Sequence, residues 1–178
     1  RSPVMIAYGA EFPEFVADYL AGGEAGSSVA ALVDVARLEN AWVEAYHAED
    51  AGVATVGELA ALSPDRLPGT RIVFHPATQL LRFATPAASI WASRQSGTER
   101  PASEPVGAED ALVTRPDCDV RVRVLPPLAY DFALSLREGA TLVEAVAAVN
   151  NPGFDFGAHL VGLVESGAVA SISPGQAS

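Results

Sequence analysis

The run Val120-Arg121-Val122-Arg123-Val124 alternates apolar and charged side chains without a break. A period of two puts the valines on one face of an extended strand and the arginines on the other, a separation that no helix produces. The run follows Ala111-Leu112-Val113-Thr114, and Pro116-Asp117-Cys118-Asp119 between them has turn composition. The two runs therefore read as paired strands. Three helical segments come next. Pro127 opens the first and Gly139 closes it. Thr141 caps the second, with Glu144 three residues on. The third spans about Asp155 to Ser166 and stops at Gly167. A short strand, Ala168 to Ile172, completes a winged-helix-like unit over residues 109–174: two strands, three helices and a terminal strand.

Upstream the period is helical. Ser2-Pro3 and Phe12-Pro13 are both helix starts, and Pro13 forces a break between residues 9 and 13. Gly22-Gly23 and Gly26 end that element. Ser27 or Ser28 then caps a long helix over about 28–49. Its apolar residues, from Val29 and Leu32 to Leu38, Trp42 and Tyr46, cover more than one stripe and predict burial on two sides, Trp42 included. Thr55 with Glu58 is a capping-box pattern for a short helix ending at Ser63-Pro64. Arg71 to His75 and Gln79 to Phe83 read as a β-hairpin turning at Pro76-Ala77. A short helix carrying Ile90 and Trp91 follows Thr85-Pro86. Residues 97–108 have linker composition. The expected fold class is α+β: a helical region with a central β-hairpin over 1–96, a linker over 97–108, and the winged-helix-like module over 109–174.

Charge narrows the functional classes. The 22 acidic and 11 basic residues leave a net charge of −11. Such a chain repels phosphate at long range, so nucleic-acid binding is disfavoured. One cysteine, Cys118, forbids an intramolecular disulfide and suits a reducing, cytoplasmic setting. No apolar run approaches the ~18 residues of a membrane span. The start, Arg1-Ser2-Pro3-Val4, has no leader-like pattern and suggests a chain beginning mid-protein.

Catalytic and metal patterns are equally thin. His47, His75 and His159 lie in three different elements, and Glu44-x-x-His47 occurs once, where a di-iron bundle needs it twice. Gly139-Ala140-Thr141 lacks the lysine and spacing of a phosphate loop, and no Gly-x-Ser-x-Gly elbow occurs. The expectation is a non-enzyme with no cofactor and no metal. The candidate binding surface is the alternating strand with the helix expected beside it. Val120, Arg121, Val122, Arg123 and Leu125 would form an open sheet edge, with Phe156, His159, Leu160 and Leu163 as the facing wall. Strand addition draws affinity from main-chain hydrogen bonds and specificity from flanking side chains. Plainer alternatives are a solvated outer strand face and ordinary core packing of the helix.

Several stretches, in order along the chain, resemble the HvfC/BufC family. They are Ser2-Pro3-Val4 with Tyr8-Gly9-Ala10-Glu11-Phe12-Pro13-Glu14-Phe15; Asp34-Val35-Ala36-Arg37-Leu38-Glu39 with Ala45-Tyr46-His47-Ala48-Glu49-Asp50; His75-Pro76 with Leu80-Leu81-Arg82; Ser89-Ile90-Trp91; and Val120 to Pro127. That family also carries a DNA-binding label. The resemblance implies a partner protein that holds the leader of a ribosomally made precursor peptide and presents it to a multinuclear iron-dependent oxidative enzyme. The C-terminal pattern further resembles a PqqD-like recognition element, which binds leaders by strand addition. The family's N-terminal helical domain is expected to be absent from this chain. A DNA-binding regulator, or another protein–protein interaction module, is the alternative.

Overall fold

The computed structural model describes residue 9 and residues 11–21, 27–95 and 106–175. The Ser2-Pro3 start, the Gly22-Gly23 and Gly26 stop and most of the linker lie outside them. The order is α1 (Phe12–Ala21), α2 (Ser27–His47), α3 (Val56–Ala60), β1 (Arg71–Phe74), β2 (Gln79–Phe83), α4 (Ala87–Gln95), β3 (Glu109–Thr114), β4 (Arg121–Val124), α5 (Ala129–Arg137), α6 (Leu142–Val149), α7 (Phe156–Glu165) and β5 (Val169–Ser173). The class is α+β, as the periodicities predict. Among the described residues no helix is long and apolar enough to cross a membrane.

The strands expected as a central hairpin do not pair with each other. β1 pairs antiparallel with β5, and β2 joins β3 and β4 in a three-stranded antiparallel sheet ordered β2-β3-β4. The cause lies in residues 75–78. His75 donates its N–H to the Ala168 carbonyl at 2.8 Å, and the Thr78 hydroxyl donates to that same carbonyl at 2.9 Å. The Ala77 N–H donates to His75 Nδ1 at 3.1 Å. This turn is held by the residue preceding β5, so it sends the chain into a second sheet instead of folding it back. Both pairings join the 1–96 and 109–174 segments, and the terminal strand belongs with β1 rather than with β3 and β4.

The sheet β2-β3-β4 has a core on each face. Successive β3 side chains alternate: Ala111 and Val113 pack with Phe83, Leu38, Ala41 and Ala45, while Leu112 packs with Leu80, Phe132, Leu160 and Leu163. The α2 stripe that reaches this sheet is Asp34, Leu38, Ala41 and Ala45, at helical spacing. Leu32, Val43 and Tyr46 are exposed, and Trp42 is only half-buried, stacked on Tyr46 at 5.6 Å. Burial on two sides holds only in part: α1 packs on α2 and Ala36, on the face opposite Leu38, is buried, but Trp42 is not. The small alanines, not the tryptophan, sit against the sheet because the helix approaches it closely. Asp34 is buried and accepts hydrogen bonds from the Thr85 N–H at 3.2 Å and hydroxyl at 2.8 Å, which fixes the start of α4 on α2.

The capping patterns hold. Thr55 with Glu58, and Thr141 with Glu144, each form a reciprocal capping box. In both, hydrogen bonds from the threonine N–H and hydroxyl hold the glutamate below its ordinary pKa of 4.5. α3 nevertheless ends at Ala60, short of Ser63-Pro64. α5 starts two residues after Pro127, behind Leu128 in the left-handed region (φ 69°).

Candidate functional site

Strand β4 has β3 on one side and, among the described residues, no strand on the other. The Leu125 N–H donates to the Asp110 carbonyl at 2.7 Å, which makes that pair the hydrogen-bonded type. Alternation along an antiparallel ladder then makes Arg123–Leu112 and Arg121–Thr114 hydrogen-bonded pairs as well. The backbone groups of Val122 and Val124 therefore point away from β3. A free edge of this kind can template a further strand.

Cross-strand partners share a face. Arg123 lies opposite Leu112, so its side chain stands on the face that α7 covers. Between β4 and α7 is a cavity of about 170 Å³ lined by Leu112, Arg123, Val124, Leu125, Pro126, Ala129, Phe132, Ala158, His159, Gly162 and Leu163. Ala158 and Gly162 stand one helical turn apart on α7, and their small side chains leave the hollow. A Cβ built on Gly162 would meet nothing within 4 Å outside its own turn of helix. The cavity falls below the ~300–1,000 Å³ of small-molecule sites, and its volume matches a single side chain.

Local sequence sets the wall. Asp155 caps α7 by accepting from the Ala158 N–H at 3.0 Å, and Gly167, at φ 74°, ends it. Phe154 stacks on His159 at 4.5 Å and packs tilted on Phe132 at 5.2 Å. His159 is thereby held at the cavity. Among the described residues, the ionisable side chains lining the cavity are Arg123 and His159.

Of the nine residues expected at the site, Arg123, Leu125, His159 and Leu163 come together here. The other five are placed elsewhere. Arg121 is exposed on the same strand face, with Nε 3.3 Å from Asp119. Val122 packs on the alanine-rich core beside α2, and Leu160 is buried in the core on the other face. Phe156, 44% exposed, does not line the cavity. Val120 belongs to a separate open groove of about 570 Å³ with Glu39, Trp42, Val43, Trp91 and Gln95. Val124, placed with Val120 and Val122 as an apolar face, is 49% exposed at the free edge. Leu112, Val124, Pro126, Ala129, Phe132, Ala158 and Gly162 also line the cavity and were not expected there. Ala158 and Gly162 carried the one legible signal, two small residues at i, i+4 on an otherwise apolar helix.

Among the described residues, no group of three or more His, Cys, Asp or Glu side chains is placed to hold a metal. No family model matches the chain, and no curated protein matches it.

Proposed function

We propose that this chain is a non-catalytic partner protein that takes an extended peptide on the free edge of β4. The occupant proposed is the leader of a ribosomally made precursor peptide, which the chain presents to an iron-dependent oxidative enzyme. One observation carries the peptide half of this reading: a strand edge with outward-pointing backbone groups at Val122 and Val124 lies directly beside a cavity the size of one side chain. Strand addition needs both, the edge for affinity and the cavity for specificity. The leader and the oxidase come from the sequence resemblance. The net charge of −11 weighs against DNA as the occupant.

The test is calorimetry with any Cys-containing precursor peptide and iron-dependent oxidase found encoded beside this gene. Binding of the precursor, weakened by Arg121→Glu with Arg123→Glu at unchanged thermal stability, supports the reading. Absence of binding to both partners removes it.

A further inference from the structure

We infer that the peptide taken by β4 carries an aliphatic residue and an Asp or Glu two positions apart, so that both face α7. This rests on the strand-addition reading above and specifies what the edge selects.

In an added strand, residues two apart share a face. The face toward α7 meets the cavity and Arg123 together, because Arg123 stands opposite Leu112 on β3. The cavity walls are aliphatic and aromatic apart from Arg123 and His159. In a chain with 22 acidic residues and 11 basic ones, no carboxylate lines this cavity among the described residues. Arg37, Arg82, Arg115 and Arg121 each have an ion-pair partner. Among the described residues Arg123, like Arg66, Arg71, Arg94 and Arg137, has none, and of these five it alone lines the cavity, so its guanidinium is available to a ligand there. A short peptide with a single carboxylate carries far less charge than a DNA duplex, so the net charge of −11 opposes it only weakly and the local cation decides recognition at contact. An aliphatic side chain fills the hollow over Ala158 and Gly162, and the carboxylate two residues away meets Arg123.

Random octapeptides displayed on phage, panned against the protein and its Arg123→Glu and Val124→Pro variants, test this. The wild-type pool should be rich in an aliphatic residue with Asp or Glu at the second position away. Arg123→Glu should shift that position to Lys or Arg, and Val124→Pro should lose the pool. In a selected peptide, Asp→Asn should weaken binding about fivefold, the upper range for an exposed ion pair. A pool that needs Val124 but shows no acidic preference and does not change with Arg123→Glu overturns this inference and leaves strand addition standing. A pool that binds Val124→Pro equally well, or a library with no binder sensitive to Val124, overturns both.

Discussion

Arg123 on β4 stands directly opposite Leu112 on β3, and Leu112 is buried against α7. That pairing puts a charged side chain on the inner face of the sheet at its open edge, where a cavity allows it to remain partly solvated. The consequences can be tested residue by residue.

Val124→Pro removes a backbone N–H that points away from β3, so no ladder hydrogen bond is lost. Circular dichroism should be unchanged and the melting temperature close to wild type, with peptide binding abolished. Val113→Pro, which lies in the middle strand, should instead disrupt the sheet.

Gly162→Ala should stabilise the protein by about 1 kcal/mol, because a helical glycine is replaced at a site with room for a Cβ. Gly162→Leu should fill the hollow and block the peptide while the chain still folds. Denaturant melts and a binding titration on both variants separate the two effects.

Phe132 is fully buried and touches Phe154, so Phe132→Ala should cost about 3–5 kcal/mol in urea unfolding. Trp42→Ala should cost distinctly less, because the ring is half-buried at the groove with Trp91.

Glu58 and Glu144 titrate below 4.5 in the folded chain because the caps hydrogen-bond the carboxylate form. A depressed acid contributes stability above its unfolded value and loses it as pH falls through the folded value. Stability should therefore decline below about pH 4.5, and Glu58→Gln with Glu144→Gln should flatten that part of the decline. Thermal melts from pH 7 to pH 3 measure it.

The sequence made some of this legible and hid the rest for physical reasons. Caps at Thr55 and Thr141 and the strand at 121–124 are local signals, set by neighbours a few residues apart. The pairing of β1 with β5 is not local: it depends on the Ala168 carbonyl receiving His75 and Thr78 from ninety or more residues away in sequence. Nothing in Arg71 to Phe83 distinguishes a hairpin from two strands that part. The site was half legible for the same reason. Alternation placed Arg123, and helical spacing placed His159 and Leu163, but which neighbours line a hollow depends on packing. Leu160 has the same apolar character as Leu163 and lies wholly in the core, while Phe156 faces solvent.

The most direct test is residue-resolved amide hydrogen exchange with and without a bound peptide, using the precursor or a selected octapeptide. Strand addition on β4 predicts that the Val122 and Val124 amides, open to solvent in the free chain, slow by about tenfold or more. The Arg121 and Arg123 amides, already bonded to β3, should change little. A peptide that binds without slowing exchange at Val122 and Val124 would contradict the account.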